Sequence, residues 1–174
     1  MLYLLDANAL INWNRDFYRF EDVRPFWDWL LYHAEQGNVK VPLEIYDEII
    51  EPTPQDGEER DPFFVWLKDK EVRKKLVLDE DEGRLLVSKV TEEGYGGDLT
   101  DDEIEFIGRD PFLIAYALAS KENRSVVTTE NSKPSKQRHN RQVPDVCDQF
   151  GVKWHTPPAF TKALKFSVNW KDSL

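Results

Sequence analysis

The sequence predicts an α/β domain organised around a parallel sheet. Three observations carry this. Short apolar runs alternate with stretches of helical spacing along the chain, the pattern of strand-helix-strand units. A length of 174 residues suits one domain, so residues 1–174 are read as a single unit. Hydrophobic residues make up 40%, with ten Phe, six Trp and six Tyr, enough to fill a core and to exclude global disorder.

LYLL (2–5) is read as the first strand, ended by Asp6. NALINW follows as a helix whose pattern polar and aromatic residues dilute beyond Trp13. RPFWDWLLYHAEQGN is a helix: Pro25 suits its first turn, Phe26, Trp29, Leu30 and His33 follow helical spacing, and Gly37 fits the stop. VKVP is a second strand. LEIYDEII is a helix with Ile45 and Ile49 four apart and Pro52 as terminator, and TPQDGEERD is a polar loop. PFFVWLKD, EVRKKL and DEGRLLVSKVTEEG are helical pieces, and Thr100 with Glu103 has capping-box spacing. DPFLIAYALASKEN is the clearest helix, with Asp110 placed to cap it and Pro111 at its first position. SVVTT is a strand ended by Glu130, and NSKPSKQRHNRQ a basic loop. VPDVCDQFG is a helix with Pro144 early and Gly151 just beyond it, VKWHT a last strand and PPAFTKALKF a terminal helix.

A single cysteine, Cys147, excludes a disulfide framework within the chain and argues against a cysteine zinc site. The N-terminus lacks a basic region followed by a long apolar stretch. No apolar run reaches the ~20 residues that span a bilayer, so the expected setting is soluble and cytoplasmic, with no membrane partner. The formal net charge of -10, with a pI near 4.8, argues against a nonspecific nucleic-acid binder, which would be basic. It is compatible with an enzyme acting on nucleic acid, because clustered carboxylates are what a divalent cation needs, and the cation then offsets them.

In a parallel sheet, ligands bind beyond the C-terminal ends of the strands. Asp6 and Glu130 each end a strand, so both fall on that rim. Asp110 opens the helix leading into the second of these strands, and a right-handed crossover starts it on the same rim. Glu48 lies early in the helix after VKVP, again just past a strand end. Four carboxylates from four distant segments thus converge and would repel strongly without a cation. With no Cys or His beside them, oxygen ligands alone suit Mg²⁺ or Mn²⁺. Glu44 and Glu48, four apart on one helix, add a like-charge pair worth roughly 0.2–0.5 kcal/mol of repulsion. Each acid has a plainer reading: Asp6 and Asp110 as helix caps, Glu48 on a solvated face, Glu130 as the first residue of a polar loop. Their joint placement is what favours a metal site.

These blocks resemble the PIN-domain family of metal-dependent nucleases. LLDANALI is similar to that family's strand-ending aspartate motif, and VPLEIYDEI to the block with a glutamate a few residues after a strand. DPFLIAYALA resembles its aspartate followed by an alanine-rich amphipathic helix, and VVTTE its fourth block, which usually carries aspartate. VPDVCDQFGVKW resembles a branch of PIN-like proteins associated with toxin-like genes. The blocks keep the family's order over most of the chain, while residues 53–100 match none of them. The resemblance implies a three-layer α/β/α sandwich with a central, mostly parallel, Rossmann-like sheet. It implies catalytic and metal-ligand roles for Asp6, Glu48, Asp110 and Glu130. Glutamate in the last place departs from the pattern: either Glu130, longer by one methylene, binds through water, or Asp145 takes the fourth position. Asn8 and Thr128 fall where small polar residues support the site.

The implied reaction is phosphodiester hydrolysis by an endoribonuclease acting on RNA, with one or two Mg²⁺ or Mn²⁺ ions activating water. The toxin-like resemblance implies the toxin of a toxin–antitoxin pair, hence an antitoxin protein as partner, and homodimers are common among the proteins it resembles. No protein nucleophile is needed, and Cys147 has no evident base partner. Lys133, Lys136, Arg138 and Arg141 follow Glu130 in an otherwise acidic chain and are read as RNA-binding, against the plainer reading of a solvated loop. Exposed Trp and Tyr side chains would stack unpaired bases, though most belong in a core. Two other readings compete. One is a catalytically silent PIN-like module that binds RNA or a protein. The other is a phosphatase of the haloacid-dehalogenase type, which wants a second aspartate where this chain has Asn8.

Overall fold

The computed structural model describes residues 1–50, 61–80 and 83–173. Pro52 and all but the last residue of the loop read over 53–61 lie outside them. Five strands form one sheet: β1 (Leu2–Leu5), β2 (Val39–Pro42), β3 (Val77–Leu78), β4 (Arg124–Val127) and β5 (Lys153–His155). All pairs are parallel, in the order β3-β2-β1-β4-β5. The register sets Tyr3 beside Val39 and Ser125, so β1 lies in the middle with β2 and β4 on either side.

Helices cover both faces, giving a three-layer α/β sandwich. One layer holds α1 (Ala7–Asn12), α2 (Arg24–Glu35) and, near the end of the chain, α10 (Pro157–Ala163). Aromatic rings lock it together: Trp13 stacks on Phe160 at 5.5 Å, Trp29 meets Phe160 at 5.7 Å, and Phe26 meets Trp13 at 5.3 Å. Tyr3 of β1 touches Phe160 edge-on at 5.2 Å, so this layer sits directly on the sheet. The other layer is built on α8 (Asp110–Leu118), which packs on β4 together with α6 (Arg84–Lys89) and α9 (Val143–Phe150). Leu113, Ile114, Ala115, Tyr116 and Ala117 of α8 are buried in succession, so the helix is enclosed all round instead of showing one apolar stripe. The helix α3 (Leu43–Ile50) touches both α1 and α8. On the β3 side, α4 (Pro62–Leu67) and α5 (Lys70–Leu76) lead into the edge strand, while α7 (Asp101–Ile107) precedes α8.

Strands β1 and β2 have the bounds the sequence gives them, and β5 is one residue shorter at each end; β4 starts one residue earlier and stops at Val127, so Thr128 and Thr129 lie beyond it and Glu130 does not end the strand. The edge strand β3 was not foreseen: two residues are too few to show alternation, and they follow α5 without a break. Two stretches are π turns, one where the helical pattern thins beyond α1 and one within the stretch read as helix up to Gly94. Beyond α1, the Tyr18 N–H donates to Trp13 O at 2.6 Å, and beyond α6 the Gly96 N–H donates to Thr91 O at 2.9 Å, both five residues back. The second π turn, Val90–Tyr95, lies so close to α9 that a Cβ on Gly94 would sit 2.7 Å from Val146 Cγ1. The Thr100–Glu103 capping box forms as its spacing predicts. Gly151 ends α9 in the left-handed region, at φ 67°, which glycine adopts without steric cost. Among the described residues no helix is long and apolar enough to cross a membrane.

Candidate functional site

After β1 the chain proceeds outward to β2 and β3, then crosses over to β4 and β5. The strand order therefore reverses between β1 and β4, and ligand crevices in open α/β sheets form beyond such a point. Asp6 and Thr128, the residues that follow these two strands, meet there. Thr128 Oγ1 donates to Asp6 Oδ2 at 2.7 Å. Asp6 also caps α1, its Oδ1 accepting from the Asn8 N–H at 3.4 Å. Both readings of Asp6 thus hold at once: it is a cap, and it sits on the rim. It is only 3% exposed. Burial pushes it up to about 6, against the hydrogen bonds from Thr128 and Asn8, and the charge of Glu48 raises it further.

Asp110 differs from its expected role as a cap. Arg109 occupies the cap position without a side-chain bond, and Asp110 is the first helical residue with Pro111 next. Its carboxylate is therefore not used in closing the helix start. Burial raises it well above the ordinary aspartate range, and the charges of Asp6, Glu130 and Glu48 add to this. Glu130 stands three residues past β4 and is partly buried. Its Oε2 accepts from the Val143 N–H at 2.7 Å, and its own N–H donates to Thr128 Oγ1 at 3.2 Å. Burial raises it, Asp6 and Asp145 raise it further, and the Val143 N–H and Lys133 oppose them. Glu48 is exposed on α3, with Oε1 4.0 Å from where a Cβ on Gly108 would lie, beside the turn into α8. The four acids named by the sequence therefore act on one another across four segments.

Tyr95 was missed by the sequence reading. It ends the second π turn, is buried, and has no hydrogen-bond partner for its hydroxyl among the described residues. Asp110 lies near enough to feel this hydroxyl, yet the two do not reach hydrogen-bonding geometry. Burial raises the phenol, and the charges of Asp110, Cys147, Glu130 and Asp6 raise it more. No local signal marks Tyr95, because only the unusual turn directs it inward.

Asp145 serves a different purpose. It accepts from Ser132 Oγ and from the Lys133 N–H at 2.8 Å, and so anchors the start of the basic loop. Two of the four basic residues are likewise engaged within the fold. Arg138, at φ 54° in a conformation uncommon for a side-chain-bearing residue, donates to Asp98 Oδ1 at 2.6 Å and twice to Glu103, at 2.7 and 2.9 Å. His139 Nδ1 lies 2.8 Å from Glu103 Oε1. Arg141 bonds to Gly94 O, to Gln149 Oε1 at 2.5 Å and to Asp145 O at 3.1 Å. Lys133 and Lys136 remain exposed. Asn8, read as a supporting residue, is exposed and contributes its backbone N–H.

A model for the domain of unknown function DUF4411 matches residues 3–168. The chain belongs to the DUF4411 family. No curated protein and no solved structure matches it. The DUF4411 match runs from within β1 to beyond α10, so the four acids and Tyr95 all fall within it.

Carboxylates raised by burial, with acids as the principal charges acting on Asp6 and Asp110, have the donor chemistry of a site for a hard divalent cation. The unpartnered Tyr95 hydroxyl is a further oxygen at the same place. Among the described residues no three His, Cys, Asp or Glu side chains stand as a ready-made metal cage. Binding an ion would therefore require the acids to draw closer together.

Proposed function

We propose that this DUF4411 protein is a Mg²⁺- or Mn²⁺-dependent endoribonuclease of PIN-like type. The observation that carries the reading is the mutual electrostatic influence of Asp6, Glu48, Asp110 and Glu130 at the reversal point of the sheet. Asp6 and Asp110, the most desolvated, would hold the ion, with Glu48 and Glu130 completing its ligands. A bound divalent ion supplies positive charge for a phosphate and acidity for a water molecule. Thr128 orients Asp6, and the Val143 N–H orients Glu130. Lys133 and Lys136 are left to meet the phosphate backbone. Cys147 takes no part: its thiol is buried and pushed far up by burial. RNA as substrate, an antitoxin partner and a homodimer rest on the PIN resemblance alone.

The test is incubation of purified protein with assorted RNAs in Mn²⁺, in Mg²⁺ and in chelator. Cleavage is expected with either metal and is lost in chelator and in Asp110→Ala. Cleavage that persists in chelator, or that is undiminished in Asp110→Ala, overturns the proposal. The absence of a closed cage among the described residues favours a second reading, a silent module that binds RNA or a protein. Asp6→Ala and Asp110→Ala would leave such a module's binding unchanged.

A further inference from the structure

A cleft of about 470 Å³ lies between the first π turn and the start of α10. That volume falls in the range of small-ligand sites. Trp13, Phe17, Pro157 and Pro158 give it apolar walls. Phe17 is 68% exposed, a ring that contributes little to the core. Between these walls lie neutral polar groups, Asn12, Thr129 and Asn131. Asp16 also lines the cleft, but its carboxylate is taken up by Arg15 at 2.7 Å. Among the described residues no Lys, Arg or His lines the cleft, so they offer a phosphate no cationic partner inside it.

Two lining residues tie the cleft to the acids along the chain. Thr129 and Asn131 flank Glu130 in the chain. Asn12 is the last residue of α1, the six-residue helix that Asp6 caps, which places it about 9 Å along from the acid. An occupant suited to these walls is flat and uncharged, apolar on its faces and polar at its edges.

We infer that the cleft receives one nucleobase of an unpaired RNA strand. The position of its phosphate, at the acids, rests on the nuclease reading above. Phe17 and the two prolines supply stacking faces. Asn12 Nδ2 donates to Thr129 Oγ1 at 3.0 Å, which fixes the amide and turns its oxygen to acceptor use. Asn131 presents both a donor and an acceptor, so the pair reads the edge of the base. A base held in a duplex has its faces stacked and its pairing edge occupied, so the cleft accepts single strands and rejects duplex.

The experiment measures binding, not cleavage. Fluorescence anisotropy follows labelled ten-nucleotide oligouridylate, oligoadenylate and an RNA duplex with the full chain, in chelator and low salt. The parent is expected to bind the single strands and to favour one of them over the other. Phe17→Ala weakens that binding about tenfold or more, and Phe17→Trp restores it. Asn131→Ala narrows the preference between the two strands. Phe17 is exposed, so its loss leaves the fold intact, which thermal denaturation checks. Unchanged affinity in Phe17→Ala, or duplex bound as tightly as single strands, overturns the inference. A protein that cleaves nothing yet binds through Phe17 upholds the cleft and sinks the nuclease reading. Metal-dependent cleavage with affinity indifferent to Phe17 sinks the cleft and leaves the nuclease reading standing.

Discussion

Thr128 Oγ1 donates to Asp6 Oδ2 at 2.7 Å and accepts from the Glu130 N–H at 3.2 Å, so one hydroxyl joins the ends of β1 and β4 and steadies two acids. Asp6 and Thr128 are both buried, where a bond to a carboxylate is worth more than on the surface. Thr128→Val keeps the shape and strands the Asp6 oxygen. The expected loss is about 1–3 kcal/mol of stability at neutral pH, with Asp6 rising further, whereas Thr128→Ser retains most of the bond. Chemical denaturation of the three proteins checks this, and equal midpoints would show the bond to be idle.

The raised acids fix the sign of the pH dependence. Asp6 stands at about 6 in the fold, against 3.8 ordinarily. A carboxyl raised on folding contributes stability that is complete below its unfolded value and lost as the pH climbs through the folded one. The metal-free protein therefore weakens from about pH 4 to just above pH 6, on the order of 3 kcal/mol in total from Asp6, with Asp110 and Glu130 acting in the same direction. Melting curves in chelator should fall across this window, and those of Asp6→Asn should fall less. Added Mn²⁺ should raise the melting temperature at pH 7.5 far more than at pH 5, because protonated acids do not bind it.

Glu103 titrates with the opposite sign. Arg138, the Thr100 backbone and His139 hold it well below the usual carboxylate range. Its contribution is present above the ordinary value of 4.5 and is lost as the pH falls below that. Arg138→Ala releases the loop after Glu130 from α7. Limited proteolysis at pH 7 should then cut within residues 131–142 faster than in the parent, and acidifying the parent should imitate the variant.

Gly94 permits the π turn to lie against α9. An added methyl would meet Val146 Cγ1 at 2.7 Å, so Gly94→Ala forces the two elements apart. The expected cost is about 1–3 kcal/mol. Because Tyr95 follows directly, the variant should also lose affinity for Mn²⁺, as read by the metal-induced rise in melting temperature. Val146→Ala, placed in the Gly94→Ala background, should recover part of both.

Cys147 is buried at the heart of α9 and its thiol is raised by burial. Iodoacetamide should leave the native protein unmodified at pH 8 and label it in denaturant. Rapid labelling of the folded chain would contradict the enclosed position of α9.

Much of this was written locally. A strand of LYLL stopped by aspartate, Thr100 three residues before Glu103, and Gly151 after an apolar helix are signals carried by neighbouring residues. Alternation of strands and helices then dictated the parallel sheet, and the sheet gathered Asp6, Glu48, Asp110 and Glu130 on one rim. The plainer reading of Asp110 as a cap fails, since Arg109 holds that place, and local signals could not register a two-residue strand at Val77–Leu78.

The sequence by itself determined the layer architecture and the segments that end in acids, because strand ends, caps and helical spacing depend on chemistry within a few residues. Only the tertiary structure decided that Arg138 and Arg141 pair within the fold, that Asp145 holds a loop, and that the buried Tyr95 hydroxyl lies near Asp110. The pairings are settled by which charge or hydroxyl packing brings within about 3 Å, and the Tyr95 hydroxyl stays unpaired because packing brings none of the described residues into bonding geometry with it.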